Sequence, residues 1–233
     1  MKEKHLIELE NKEEVAATCA EAESDTWIFV CHGFGGNKDR QSEYLELSEE
    51  GFNVVTFSFR GNGESSGDFI DQDLSSRIED LKAVVEYFEP EKAVLFGTSF
   101  GGKAVFHAAT DLDVDAVIGK APVTYGEIMD KFRAAVEEKG RFEYIEGKPI
   151  DKRFFEDFDT YSFEDAAESI EAPVAIFHGG EDTTVHPEYS FKACRKLDRV
   201  MVEKLEGEKH SFSEKAKAYM VEQLKAWLEN NDL

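Results

Sequence analysis

The chain has 233 residues, of which 41% are hydrophobic and 12% aromatic. This is enough for one large domain, or for one domain carrying a small insertion. The sequence lacks the roughly eighteen consecutive apolar residues of a membrane span, and it lacks the basic start and apolar stretch of a secretory signal. Its net charge of −23 repels nucleic acid and anionic lipid, so we expect neither nucleic acid nor a membrane as a partner.

The strongly negative charge leaves two interpretations of the surface open. One is an acidic protein without special adaptation. The other is a halophilic protein, because concentrated salt screens the repulsion between surface carboxylates. The cysteines are odd in number and have no C-x-x-C spacing, which argues against a disulfide framework or a zinc site and favours a reducing cytoplasm. They are Cys19, Cys31 and Cys194.

Apolar patterns predict strands that alternate with helices. The first two strands alternate apolar and polar residues, whereas the others are continuous apolar runs, as in strands covered on both faces. The predicted strands are 6–9, 15–19, 27–31, 54–59, 93–96, 114–118, 174–177 and 200–205. The predicted helices are 74–88, 103–109, 187–197 and 211–228, with Asp71 or Asp73 and Ser211 or Ser213 as candidate N-caps.

This alternation predicts an α/β fold, with a mostly parallel eight-stranded sheet and helices on both faces. The first two strands are joined by few residues and should form an antiparallel hairpin at one edge. Residues 122–171 interrupt the pattern, because they are rich in aromatic residues and carry no strong strand signal. A structureless loop of this length is uncommon in a compact domain. We therefore predict a helical cap at 122–171, inserted into a core formed by residues 1–121 and 172–233.

The strongest chemical signal is GTSFGG at 97–102, which follows a predicted strand and precedes a predicted helix. A nucleophile in a sharp strand-to-helix turn needs small neighbours, and G-x-S-x-G provides them. The turn also places the serine at a helix N-terminus, where backbone N–H groups favour a developing anion. These features predict Ser99 as a catalytic nucleophile.

A second glycine-rich segment, HGFGG at 32–36, follows the predicted strand 27–31. An oxyanion hole in such a protein uses one N–H from this loop and one from the residue after the nucleophile. We therefore predict the backbone N–H groups of Phe34 and Phe100 as the oxyanion hole. The alternative for 32–36 is a flexible turn that only connects two elements.

The serine needs a base, and the base needs an orienting acid. Two segments downstream leave the carboxyl ends of predicted strands, where open α/β sheets bind ligands. They are HGGED at 178–182 and GEKHSF at 207–212, which supply Asp182 as acid and His210 as base. Glu181 is the competing acid and His186 the competing base. No spacing indicates a metal site or a dinucleotide fingerprint, and we expect no cofactor.

With these segments and RGNGES at 60–65, the sequence resembles the α/β-hydrolase superfamily, and within it the small serine esterases that include cinnamoyl (feruloyl) esterases and related acyl hydrolases. The resemblance covers nearly the whole chain. It implies a Ser99–His210–Asp182 triad, with the acid last in H-G-x-x-D and the base in G-x-x-H. It also implies that the aromatic insertion covers the acyl or aryl pocket, and that 60–65 is a structural turn.

The expected activity is hydrolysis of small to medium carboxylic esters, with apolar or aromatic groups, through an acyl-enzyme. A thioesterase, an amidase or a peptidase would use the same triad, because the pocket decides the substrate. A ligand-binding module without catalysis is the remaining alternative. A monomer and a homodimer are both compatible with the sequence.

Overall fold

The computed structural model describes residues 2–233. Two sheets hold all its strands, and the larger one has eight. The strands are β1 Lys2–Glu8, β2 Glu14–Ala20, β3 Thr26–Cys31, β4 Asn53–Phe57, β5 Lys92–Thr98, β6 Ala116–Lys120, β7 Phe142–Ile145, β8 Lys148–Ile150, β9 Val174–Gly179 and β10 Val200–Leu205. The eight predicted strands correspond to those of the large sheet, whereas β7 and β8 form a separate hairpin.

The α-helices lie between the strands, as the sequence predicts. They are α1 Leu74–Phe88, α2 Phe100–Ala108, α3 Asp130–Lys139, α4 Lys152–Phe158, α5 Phe163–Ser169, α6 Pro187–Cys194 and α7 Glu214–Glu229. Three 3₁₀ helices span Lys38–Glu50, Phe69–Asp71 and Gly126–Met129. Across residues 2–233, no helix has the length and apolar character needed to cross a membrane.

The large sheet has the strand order β1-β2-β4-β3-β5-β6-β9-β10. β1 pairs antiparallel with β2, and β2 pairs antiparallel with β4, so the predicted edge hairpin is confirmed. All other pairs are parallel. The carboxyl ends of β3, β5, β6, β9 and β10 therefore meet at one edge of the sheet, where loops can converge on a site.

Apolar residues cover the large sheet on both faces and form two cores. Successive strand residues alternate between them: Val117 packs in one core, and Ala116 and Ile118 pack in the other. The first core includes α1, α2 and much of the segment 122–171. The second includes residues of the Lys38–Glu50 helix and α7. The prediction of helices on both faces is confirmed.

Local sequence explains where two of the helices begin. The Asp73 carboxylate accepts the Ser76 N–H, and the Ser76 hydroxyl lies 3.0 Å from the Asp73 N–H, which completes a capping box at α1. Ser213 caps α7 by accepting the N–H of Ala216. Of the candidate N-caps, Asp73 and Ser213 therefore take that position, and Asp71 and Ser211 do not.

Some elements differ from the predictions. α2 begins at Phe100, three residues before the predicted start, because the turn at Ser99 leads directly into the helix. The Lys38–Glu50 helix was not predicted, since only a few of its residues are apolar and buried. The segment 122–171 contains the predicted helices, but also the β7–β8 hairpin, in which Glu143 and Tyr144 are exposed.

Candidate active site

Ser99 lies in a sharp turn between β5 and α2. Its φ of 53° and ψ of −120° are unusual for a residue with a side chain, and such strain persists only where the surrounding structure enforces it. Backbone hydrogen bonds enforce it here. The Ser99 N–H donates to the Lys120 carbonyl over 2.9 Å, and the Ser99 carbonyl accepts the N–H of Val123 over 2.9 Å. The turn thus holds the side chain at the carboxyl end of the sheet.

The glycines of GTSFGG are required by close backbone approaches. A Cβ on Gly97 would lie 2.4 Å from the Gly101 carbonyl oxygen. A Cβ on Gly101 would lie 2.6 Å from the Cys31 carbonyl oxygen, and one on Gly102 would lie 2.4 Å from the Pro122 Cβ. Each addition would push β5, α2 or a neighbouring strand end apart. The motif therefore reflects the packing of the turn, which needs small residues on both sides of Ser99.

His210 and Asp182 complete a chain of hydrogen bonds that begins at Ser99. His210 Nε2 lies 3.0 Å from Ser99 Oγ, and His210 Nδ1 lies 2.7 Å from Asp182 Oδ2. Both distances suit direct hydrogen bonds. Asp182 is buried, whereas the other two side chains are partly accessible. A nucleophile, a base and an orienting acid require this arrangement.

Two loops bring this acid and this base together. The loop after β9 carries Asp182, and the loop after β10 carries His210. The Glu181 N–H donates to the Glu208 carbonyl over 2.8 Å, which ties the loops to each other. Gly179 permits this approach, because a Cβ there would lie 2.5 Å from the Glu208 carbonyl oxygen.

Asp182 is held by donors on both of its oxygens. Oδ1 accepts the N–H groups of Thr184 and Val185 over 2.8 and 3.0 Å. Oδ2 contacts both His210 and His178, the latter at 3.2 Å. Burial raises the pKa of Asp182, but the hydrogen bonds from His178 and His210 outweigh burial and hold its pKa below the ordinary value. The carboxylate is therefore ionised at neutral pH.

The competing residues lie elsewhere. Glu181 and His186 are both exposed, and His186 stands at the N-cap position of α6 without a side-chain capping bond. Neither side chain joins the hydrogen-bond chain of Ser99. The geometry therefore favours Asp182 and His210 over Glu181 and His186.

The predicted oxyanion-hole residues lie beside the serine. Phe34 and Phe100 both line the cavity that contains Ser99, and their rings pack edge to face with centroids 5.9 Å apart. The Phe100 N–H is the first of α2 and has no acceptor within that helix. Gly33 lets the loop approach, since a Cβ there would lie 3.0 Å from the Ser99 Cβ.

His32 fixes the shape of the HGFGG loop. Its Nε2 accepts the Phe59 N–H over 3.1 Å, so Nδ1 carries the proton and donates to the Gly33 carbonyl over 2.7 Å. Burial, followed by the charge of Arg77, lowers the pKa of His32 to about 3. A neutral imidazole thus joins Phe59, two residues after β4, to the loop beside Ser99.

A cavity of about 390 Å³ opens at Ser99 and has two walls of different chemistry. The aromatic wall comes from the segment 122–171 and packs on the first core. The basic wall comes from the Lys38–Glu50 helix, the end of β6 and α7, on the side of the second core. The aromatic wall comprises Val123, Ile128, Met129, Phe132, Tyr144 and Ile150. The basic wall comprises Arg40, Gln41, Glu43, Tyr44, Lys120 and Lys217.

Sequence reasoning did not identify the basic wall. Lys120 ends β6, two residues beyond the predicted strand, at the sheet edge where ligands bind. That position was a usable signal, because a lysine that directly continues a buried apolar run is rarely buried without a partner or a role. Tyr44 and Lys217 carried no such signal, since only the tertiary fold brings them to the same wall.

The family model for the prolyl oligopeptidase family matches residues 39–231, which is most of the chain. The chain belongs to the prolyl oligopeptidase family. Among curated proteins, this family member is 36% identical over 109 residues to the quorum-quenching protein AidA of Acinetobacter baumannii, covering 42% of the chain and 36% of AidA. It is 37% identical over 79 residues to the bifunctional esterase/perhydrolase DCH of Acinetobacter calcoaceticus, covering 34% and 29% respectively. The chain thus spans about a third of the length of these relatives.

Solved structures show the fold of this prolyl oligopeptidase family member. Est1E of Butyrivibrio proteoclasticus with bound ferulic acid superimposes with a TM-score of 0.87 at 20% identity, over 97% of this chain and 98% of Est1E. The mouse α/β-hydrolase domain-containing protein 10 superimposes with a TM-score of 0.82 at 19% identity, over 98% and 97%. The chain therefore has the α/β-hydrolase fold, as its resemblance to that superfamily implied.

Proposed function

We propose that the protein is a serine hydrolase that cleaves carboxylic esters, with Ser99 as nucleophile, His210 as base and Asp182 as acid. The observation that carries this proposal is the chain of hydrogen bonds from Ser99 Oγ through His210 to Asp182 Oδ2. It is supported by the esterase among the relatives and by the aromatic wall of the cavity. The substrate class is a small to medium ester with an apolar or aryl group.

In the proposed reaction, Ser99 Oγ attacks the ester carbonyl while His210 Nε2 takes the hydroxyl proton. Asp182 keeps the Nδ1 proton on His210 and stabilises the imidazolium. The N–H groups of Phe34 and Phe100 bind the oxyanion, and each such donor is worth about 3 kcal/mol. His210 then protonates the leaving alcohol. Water hydrolyses the acyl-enzyme by the same proton transfers in reverse.

The segment 122–171 is the proposed cap over the acyl or aryl group. Its elements carry the aromatic wall and contact α1, α2 and the Phe69–Asp71 helix. The Asp157 carboxylate accepts the N–H groups of Leu74 and Ser75 over 2.8 and 3.1 Å, so it joins the segment to the start of α1. In this account the cap shapes the pocket without supplying a triad residue.

The cellular setting that we propose is a reducing cytoplasm, and salt adaptation of the surface is tested separately by the KCl dependence of stability. Cys19, Cys31 and Cys194 are free thiols, and burial raises the pKa of Cys19 to about 12 and of Cys194 to about 11. Such thiols react slowly. We assign them no chemistry in the reaction.

Peptide or amide cleavage is the second candidate activity, because it is the activity that the family's name describes. A panel of esters, thioesters and anilides with one common acyl group separates the candidates. Our proposal predicts the highest kcat/KM for the ester after correction for the intrinsic reactivity of each bond. A higher corrected value for the anilide would replace the esterase by an amidase or peptidase. Tight binding of an ester that is recovered unchanged would favour a binding module.

A further inference from the structure

The basic wall of the cavity contrasts with the rest of this acidic protein. The whole chain has 27 basic and 50 acidic residues. Among the described residues that line the cavity, Arg40, Lys120, Lys131 and Lys217 are basic, and Glu43 is the single acid. Cations are thus concentrated where a substrate would lie, which attracts anions to that position.

Lys120 is the most unusual of these cations. Its side chain is buried, with the residue 8% exposed, and its Nζ lies 4.4 Å from the centre of the Phe212 ring. Among residues 2–233, its Nζ has no hydrogen-bond or ion-pair partner. A cation–π contact offsets part of the cost of burying an ammonium but satisfies none of its three N–H donors. An unpartnered buried ammonium in a ligand cavity indicates a missing acceptor.

The other groups near Lys120 do not supply that acceptor. The nearby acid Glu43 instead pairs with Lys217 Nζ over 2.7 Å. Tyr44, which is 2% exposed and packs on Phe96, adds a second donor, because within the described chain its hydroxyl has no hydrogen-bond partner. Two unsatisfied donors therefore line this wall, and the unpaired Gln41 Oε1 on the same wall is a neutral acceptor that hydrogen-bonds to neither of them.

The backbone connects this wall directly to the reactive serine. Lys120 pairs with Thr98 in the sheet, and its carbonyl accepts the Ser99 N–H over 2.9 Å. The Phe212 ring beneath the ammonium is two residues from His210. Because Lys120 and Ser99 also line the same cavity, a single bound molecule can contact both.

We infer that the basic wall binds a carboxylate carried by the substrate, with Lys120 and Tyr44 as donors, so that the enzyme prefers esters bearing a negative charge. This inference rests on the proposed ester hydrolysis and specifies its substrate class. Lys120 and Tyr44 determine specificity here and take no part in the proton transfers. The carboxylate can lie on the acyl part or on the alcohol part of the ester. A separate pair of substrates is needed to test each position.

Two matched ester pairs test this inference. On the acyl side, mono-para-nitrophenyl glutarate is compared with para-nitrophenyl pentanoate. On the alcohol side, meta-carboxyphenyl butyrate is compared with meta-carbamoylphenyl butyrate. We expect the wild-type enzyme to prefer the anionic member of at least one pair, by about 10- to 100-fold in kcat/KM, which is the range for a hydrogen bond to a charged group.

The Lys120→Met variant should lower the ratio of kcat/KM for the anionic and neutral esters to near unity, whatever its absolute rates, and Lys120→Arg should keep part of the preference. The matched control is Lys152→Met, which removes the same charge at an exposed position on α4, and it should behave as wild type. Because neutral esters report an intact triad, a folding defect in Lys120→Met would be visible. If Lys120→Met is misfolded, the comparison of Lys120→Arg with the wild type on the same ester pairs tests the inference.

Three results would overturn the inference. Neutral-ester hydrolysis without an anionic preference in either pair would overturn it and leave the proposed esterase intact. A preference that Lys120→Met retains would overturn the assignment to Lys120. Absence of hydrolysis with every ester would overturn the proposed function and this inference together.

Discussion

The two walls of the cavity meet at one serine but differ in composition and in support. The aromatic wall belongs to the segment 122–171 and is built from apolar side chains that pack on one another, such as Phe132 and Tyr144 with ring centroids 5.0 Å apart. The basic wall belongs to the sheet end and to helices on the opposite side, and its central side chain, Lys120, has no polar partner within residues 2–233.

Because of this difference, the two walls contribute differently to stability and to substrate selection. The aromatic wall gains free energy from burying apolar surface, and it would do so with or without a ligand. The basic wall by itself contributes little to the free energy of folding, because a buried unpaired ammonium destabilises a fold. We therefore attribute general affinity for apolar groups to the first wall and selection for charge to the second, with the proposed reaction at Ser99 common to both.

We expect the largest effect from a change in the proposed triad, on which hydrolysis of every ester depends. Asp182→Asn should lower kcat by about 10⁴-fold on neutral and anionic esters alike, because the amide no longer holds His210 in the required tautomer. The exposed neighbour Glu181 provides the matched control, and Glu181→Gln should retain wild-type rates. Steady-state kinetics on both variants test this, and a loss confined to Glu181→Gln would assign the acid to Glu181.

A second prediction isolates the aromatic wall. Phe132→Ala should raise KM for a naphthyl or cinnamoyl ester by about tenfold, because the truncated side chain buries less apolar surface. The KM for para-nitrophenyl acetate should hardly change, which makes this short ester the internal control. Equal changes for the short and the aryl esters would show that the wall does not contact the aryl group.

A third prediction isolates the basic wall by pH. Burial lowers the pKa of Lys120 to about 8, while Glu43 and Asp182 raise it and Lys217 lowers it. Lys120 is therefore charged below that pH and neutral above it, so the preference for anionic esters should be present at neutral pH and lost as the pH rises. The ratio of kcat/KM for the anionic and neutral esters is the measurement, because any effect of pH on the chemistry common to both esters cancels in it.

That ratio should fall by about tenfold between roughly pH 7 and pH 9.5, which corresponds to deprotonation of one cation. Lys120→Met supplies the control, since its ratio should be low and independent of pH. A wild-type ratio that stays constant across this range would contradict the role of the ammonium.

The smallest expected effect is that of salt on the stability of the acidic protein surface. If the charge of −23 reflects adaptation to salt, KCl should raise the melting temperature by several degrees, because salt screens repulsion between surface carboxylates. The same salt should weaken the anionic preference at the basic wall only modestly, since buried charges are screened less. A melting temperature that is constant or falls with KCl would favour the acidic but unadapted interpretation.

Much of the fold could be predicted because its signals are local. The buried strands are apolar runs, and α1 was predicted over 74–88 because its apolar residues recur at helical spacing after the candidate N-caps Asp71 and Asp73. The Lys38–Glu50 helix and the β7–β8 hairpin could not be predicted in this way. The helix has few apolar residues and the two strands have only four and three residues, so tertiary contacts stabilise these elements more than their own sequence does.

The candidate site also contains both residues that local sequence predicts and residues that only tertiary structure brings together. Glycine motifs and strand ends predicted Ser99, Asp182 and His210, because chemistry of this kind needs those residue types at strand ends. The position of Tyr44 and Lys120 on one wall of the cavity depends on residues that are distant in sequence. Only the folded chain brings them together.

The most direct test of the account is reaction of the purified protein with a fluorophosphonate, followed by mass spectrometry to locate the label. Measurements at low and high KCl cover both interpretations of the surface. We predict a single adduct on Ser99 and no adduct in Ser99→Ala, with Ser169→Ala, which changes an exposed serine on α5, labelled as wild type. Absence of a label at every salt concentration, or a label on another residue, would contradict the assignment of Ser99 as the nucleophile.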